Sequence, residues 1–257
     1  MIARIAVAAA ASLVVGLGTA GCVSFYEVLV ETPIQAKLDI TPFRRVLVAG
    51  FVSGGTISID PNTETARLLR SQLRNRGELM VIDADVIDLV NEVDRRREEA
   101  GLPVPEILEN QPQIMSEQDL ALYDDVFDDQ EFWASVGEAF DSPLIVTGSV
   151  LFTEVSRSGL VSRPQQTVNS ATGQTEYREV RQWTDQSGYA LSPTFVFIDG
   201  RTGEQLYTES FHEEALYPTN QNTPALSSYF ELMDKLLPGF LNTLSTQKIR
   251  GSRILVK

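Results

Sequence analysis

The sequence predicts an α/β fold of the α+β kind, a single mixed β-sheet flanked by helices. Three observations carry this reading. Short β-branched runs alternate with segments of helical period between residues 43 and 100, a strand-rich stretch fills residues 143–215, and the carboxyl end returns to an apolar helical pattern.

Arg44-Arg45-Val46-Leu47-Val48-Ala49-Gly50-Phe51 is an apolar run closed by the Ser53-Gly54-Gly55 loop, the pattern of a buried strand. Asp60-Pro61 then supplies an N-cap with proline at the first helical position, Ala66, Leu69 and Leu73 recur on one helical face, and Gly77 fits the C′ position. Leu79-Met80-Val81-Ile82 reads as the next strand. Asp83 or Asp85 is expected to cap a helix that presents Val86, Leu89, Val90 and Val93 and ends in Arg95-Arg96-Arg97, three cations that complement the negative end of its dipole. Residues 101–127, with Pro103, Pro105 and Pro112 among Glu and Gln, read as an acidic insert with short helical turns. Asp128 and Glu131 have capping-box spacing before a helix expected to turn Phe132, Val136 and Phe140 inward.

Pro143 to Phe152 is β-branched and apolar, and residues 157–188 continue as a long polar hairpin with its tip near Asn169 to Gly173. A membrane-barrel strand needs about 9–11 residues of strict alternation. Tyr177, Val180 and Trp183 do not keep period two, so the hairpin reads as a flap or a partner-binding edge. Thr194 to Ile198 is another buried strand, Asp199-Gly200-Arg201-Thr202-Gly203 a turn, and Glu204 to Ala215 the returning antiparallel neighbour. Thr223-Pro224 caps a helix carrying Tyr229, Phe230, Met233, Leu236 and Leu237, interrupted at Pro238-Gly239 and resumed through Phe240 and Leu244; Arg253 to Val256 adds a last strand.

Composition narrows the function. The 257 residues hold 21 Lys plus Arg against 35 Asp plus Glu, a net charge of -14, which repels phosphate backbones and excludes non-specific nucleic-acid binding. One cysteine permits no internal disulfide or thiolate cluster, and one histidine, His212, is the single candidate for imidazole acid–base chemistry. The acidic excess is local: in residues 78–131 the only cations are Arg95, Arg96 and Arg97. Four aspartates there, Asp124, Asp125, Asp128 and Asp129, lack EF-hand spacing and read as helix caps and a solvated face. No phosphate-loop, Gly-x-Ser-x-Gly or HExxH motif is present, and no cofactor is expected.

Met1 to Gly21 has a positive residue at Arg4, an apolar run from Ile5 to Leu17 and small residues at its end, the plan of a secretory signal peptide. Ala20-Gly21-Cys22 resembles a bacterial lipobox, which implies cleavage before Cys22 and acylation of that residue; Val23 resembles an outer-membrane address. The domain plan is therefore a signal peptide over 1–21, a lipidated tether over 22–42, with a short strand allowed in it, and the α/β domain over 43–257.

Val46 to Phe51, the arginine-rich helix with Leu68, Leu69 and Leu73, Met80 to Asp83, Asp141 to Val150 and Ile198 to Glu204 together resemble one superfamily. It is the α/β domain shared by the curli-secretion lipoprotein CsgG, the penicillin-binding-protein activator LpoB and the amino-terminal domain of TolB. The resemblance implies a non-catalytic, periplasm-facing lipoprotein of the outer membrane that binds other envelope proteins or assembles with itself. The acidic insert and the polar hairpin depart from that pattern and are the expected partner surfaces, with Asp124, Asp125, Asp128, Asp129, Arg178 and Arg181 as candidate contacts. The alternatives are a ring-forming secretion component of the CsgG type and a hydrolase using His212, with Ser210 or Glu214 on its strand face. Replacing Cys22 by Ala is expected to move the protein from the membrane to the soluble fraction, because each acyl CH₂ buried contributes about 0.8 kcal/mol of anchoring; unchanged membrane fractionation contradicts lipidation.

Overall fold

The computed structural model describes residues 25–104, 114–168, 173–221 and 223–256. In chain order the elements are β1 (Phe25–Ile34), β2 (Arg45–Gly55), α1 (Pro61–Arg76), β3 (Met80–Val81), α2 (Leu89–Glu99), α3 (Glu117–Ala121), α4 (Gln130–Ala139), β4 (Leu144–Val168), β5 (Thr175–Asp199), β6 (Gln205–Ser210), β7 (Glu213–Pro218), α5 (Ala225–Leu244) and β8 (Gln247–Val256). They fall into two compact units, one spanning Ala36–Ser245 and one that joins the two ends of the chain. In the second, β1 and β8 pair antiparallel from Phe25 opposite Val256 to Ile34 opposite Gln247. The strand permitted in the tether thus forms, and the larger α/β unit ends at Ser245.

The larger unit is a mixed α/β sheet in the order β3-β2-β4-β5-β6, with β7 beside β5. β2 runs parallel to β3 and β4, whereas β5 is antiparallel to β4, β6 and β7. Period-two alternation sorts β2 onto two faces, Val46 and Val48 on one, Leu47 and Ala49 on the other. A bulge then shifts the register, with Val48 opposite Val146 but Gly50 opposite Thr147. The extra residue puts Phe51 on the first face and Val52 on the second. Gly50 is required at the bulge because a Cβ there would lie 2.2 Å from the Ile87 carbonyl oxygen. The Thr147 hydroxyl donates to the Gly50 carbonyl oxygen at 2.7 Å and fixes the bulge to β4.

The first face is covered by α1 and α5, through Ala66, Leu69, Leu73, Tyr229, Met233 and Phe240. The second is covered by Leu89 of α2, by Ile114, Leu120, Tyr123, Val126 and Phe127, and by Trp133 of α4. The acidic insert is therefore in part a core layer. Midway along it the backbone is fixed to β2, where the Gly55 N–H donates to the Ile114 carbonyl oxygen at 2.8 Å.

Several local features match the sequence reading. Asp60 caps α1 through its side chain, Pro61 follows at the first position, and Gly77 closes the helix at φ 69°. Others differ. Residues 82–88 are extended, held along β2 by Ile82 N–H to the Val46 carbonyl and Ile87 N–H to the Ala49 carbonyl, so α2 starts at Leu89 under an Asp88 cap instead of Asp83 or Asp85. The Arg95–Arg97 run does more than face the dipole: Arg95 pairs with Glu92 and Glu99, Arg96 with Glu92 and Asp129, and Arg97 with Asp94. Helix α4 is capped by Asp129, one residue later than the Asp128 capping box. Its buried stripe is Trp133 and Gly137, with Phe132, Val136 and Phe140 flanking it half-buried. Gly137 sits where a Cβ would meet the Gly200 carbonyl, and the Trp133 indole N–H donates to the Val126 carbonyl at 2.7 Å. Pro238 lies within a continuous α5. The ring is exposed, while Leu236, Leu237, Phe240 and Leu241 on both sides of it enter the core, and that burial offsets the roughly 3 kcal/mol a mid-helix proline costs.

Trp133→Ala is expected to destabilise the larger unit by about 3–5 kcal/mol in urea unfolding, since it opens a cavity and leaves the Val126 carbonyl only its longer bond from the Asp129 N–H at 3.4 Å. Leu226→Ala, on the exposed side of α5, is expected to change stability by no more than about 0.5 kcal/mol.

Candidate functional site

Toward β6, the second sheet face changes from apolar to hydroxyl-bearing side chains. Val196 and Ile198 are buried under helices, but Thr194 and Ser192, on the same face of β5, are followed by Thr208 and Ser210 of β6 and by Ser149 of β4 along a cleft of about 740 Å³. The opposite wall is the acidic segment, with Glu117, Asp124 and Asp128; Leu120, Phe127 and Val196 supply apolar surface between them.

The wall is stiffened by its own chemistry. Ser116 and Asp119 form a reciprocal capping box at the start of α3, and amide and hydroxyl donors from Met115 and Ser116 hold the Asp119 carboxyl below its usual range. The Tyr123 hydroxyl donates to Asp94 at 3.3 Å, and the Arg97 guanidinium lies 4.9 Å from the ring centre. Burial, and then the Asp94 charge, pushes the Tyr123 phenol up to about 12, so it stays a neutral donor. Asp124 has its carboxyl raised, first by burial and then by the charges of Asp125 and Asp128.

The opposite side is a broken edge. The single strand expected over Glu204 to Ala215 is two, β6 and β7, both on β5 and separated at Phe211-His212. Phe211 turns to the first-face core, where its ring lies 5.8 Å from Phe195, while its N–H donates to the Pro193 carbonyl at 2.9 Å. His212 lines the cleft, with Nδ1 2.8 Å from the Ser192 hydroxyl and Nε2 3.4 Å from a Glu214 carboxylate oxygen. Glu214 also pairs with Arg157 at 2.7 Å. The expected Ser210 partner bonds Thr194 at 2.9 Å instead. Ser192 stands twenty residues away on the neighbouring strand, and no sequence spacing signals it.

The expected contact residues separate. Asp124 and Asp128 line the cleft, and Asp125 adjoins it. Asp129 is engaged as the α4 cap and as the Arg96 partner. Arg178 and Arg181 lie far out on the β4–β5 hairpin, opposite Gln165 and Ser162, and their odd spacing puts them on different faces of the ribbon. Cys22 lies outside the described residues. Among the described residues, no helix is long and apolar enough to cross a membrane, and no group of three or more His, Cys, Asp or Glu side chains is arranged to hold a metal ion.

No protein-family profile and no curated protein matches the chain. Among solved structures, lipoprotein GNA1162 from Neisseria meningitidis is similar over 77% of this chain and 98% of that one, at 11% identity and a TM-score of 0.32.

The raised Asp124 carboxyl has a defined sign. In the unfolded chain it ionises near 3.8, and in the folded protein at higher pH, so stability is lost as pH rises through that interval and stays lower above it. Asp124→Asn is expected to raise the melting temperature at pH 7 and leave it unchanged at pH 3; a fall at pH 7 contradicts the repulsion.

Proposed function

We propose that the protein is a lipid-anchored, periplasm-facing binding factor of the bacterial outer membrane that captures an extended segment of an envelope protein and performs no chemistry of its own. The observation that supports this most is the junction of the acidic cleft with the outer edge of β6. Among the described residues no strand lies beyond β6, so its backbone donors and acceptors are a template for strand addition. A segment paired there would bring alternate side chains over Thr208 and Ser210 toward Glu117, Asp124 and Asp128, which favours lysine or arginine at those positions. The anchor at Cys22 rests on the lipobox.

A hydrolase using His212 is the second reading, favoured by the Ser192–His212–Glu214 contacts, which have the order of nucleophile, base and orienting carboxylate. The Arg157 pair draws on the same carboxylate and suits a latch that closes the strand break.

A photo-crosslinking residue at position 208 in intact cells is expected to form a protein adduct that the double variant Asp124→Lys, Asp128→Lys reduces about tenfold. A crosslinker at Glu138 serves as the control. An adduct at 208 that is indifferent to the charge reversal contradicts the cleft; Ser192→Ala abolishing a measured hydrolytic activity would replace the binding reading with the second.

A further inference from the structure

The β1–β8 ribbon is a two-stranded sheet, a structure that is marginal in water unless something covers a face. Its register sorts its residues. Val28, Val30, Thr32 and Ile34 share one face with Arg253 and Gly251, the two valines half-buried, whereas Glu27, Leu29, Glu31, Arg250 and Ile254 lie on the other, where Leu29 and Ile254 are exposed and Arg250 pairs with Glu31 at 3.0 Å, so the faces differ in free charge more than in apolar content. The first face therefore carries aliphatic residues and one cation with no carboxylate beside it. Arg253 is exposed, and among the described residues it has no ion-pair partner.

Charge and position point the same way. Residues 246–257 contain Lys248, Arg250, Arg253 and Lys257 and no acidic residue, in a chain whose net charge is -14. The pairing of Phe25 with Val256 brings this basic strand to the start of β1, three residues after Cys22. Three residues span at most about 10 Å, close to one Debye length at 0.1 M salt.

We propose that the ribbon face carrying Val28, Val30, Ile34 and Arg253 docks on an anionic phospholipid surface and forms a second, electrostatic contact beside the lipid anchor. The inference rests on the lipoprotein reading for its geometry. Acyl chains hold the start of β1 at the headgroups, Arg253 meets lipid phosphate, and the valines and isoleucine enter the interfacial zone.

The test uses the mature chain made without acylation as its Cys22→Ala variant, so that binding is not masked by the anchor. It is expected to cosediment with vesicles of phosphatidylcholine containing 30 mol% phosphatidylglycerol (a composition on the order of that in anionic membranes) and to bind pure phosphatidylcholine far less. Arg253→Gln is expected to weaken binding about fivefold, the contribution of one surface cation, and Val30→Asp to weaken it further. Arg250→Gln, on the opposite face, is expected to change it less than about twofold. Equal binding to both vesicle types, or equal losses at Arg250 and Arg253, overturns the proposal, as does a ribbon-dependent dimer in sedimentation velocity that excludes vesicles. Failure of the lipoprotein reading is read separately, from absence of acylation at Cys22 in the wild-type protein.

Discussion

The antiparallel ladder between β4 and β5 runs unbroken from Leu144 opposite Asp199 to Val168 opposite Thr175. Its inner part is the floor of the molecule. Leu144, Val146, Val150 and Phe152 face one helical layer, and Ile145, Val196 and Ile198 face the other. Because the two strands fix each other's register over so many pairs, every element that packs on them inherits a defined height along the sheet. Helices α1 and α5 cover one face, α2 and α4 the other, and the cleft opens where the covered positions of that second face give way to Thr194 and Ser192. Beyond Val155 the same ladder continues as a ribbon with exposed Leu160, Tyr177 and Trp183, so one pair of strands supplies both the core and the projecting arm.

The electrostatics follow from this frame. The acidic segment is held against the sheet by Ile114, Leu120, Tyr123, Val126 and Phe127, and that apolar anchorage is what permits Glu117, Asp124 and Asp128 to stand together at the cleft despite their repulsion. Burial of apolar area at about 25 cal/mol per Å² readily exceeds the screened repulsion of exposed carboxylates. Other acids in the region are paired locally: Asp94, Glu92 and Asp129 pair with Arg95, Arg96 and Arg97. The acidic excess of this region thus includes acids paired with the α2 arginines, one of which ties α2 to the cap of α4, and a separate group that faces the cleft.

Local chemistry was legible and long-range chemistry was not. The Asp60-Pro61 cap, the Gly77 closure and the Asp199–Gly203 turn depend on residues within a few positions of one another, and their elements form as the sequence indicates. The start of α2 was hidden because hydrogen bonds to β2, thirty-odd residues earlier, keep residues 82–88 extended. The phase of α4 was hidden because it is set by the close approach of Gly137 to Gly200 and by the Trp133 bond to Val126. At the cleft, Asp124 and Asp128 were legible as acidic positions, but their separation from the capping Asp129 was not. The pairing of His212 with Ser192 was also invisible, since the break that aims His212 is set by Phe211 entering the core beside Phe195.

We propose that the outer edge of β6 and the acidic cleft form one partner site. Backbone hydrogen exchange of residues 205–210 tests it most directly, compared between the protein in native membranes and the purified protein in detergent. Strand addition requires strong protection in membranes, and rapid exchange after purification, of those amides in 205–210 that point away from β5, with the amides bonded to β5 and the β4–β5 core amides unchanged. Equal exchange of residues 205–210 in both states would contradict the claim.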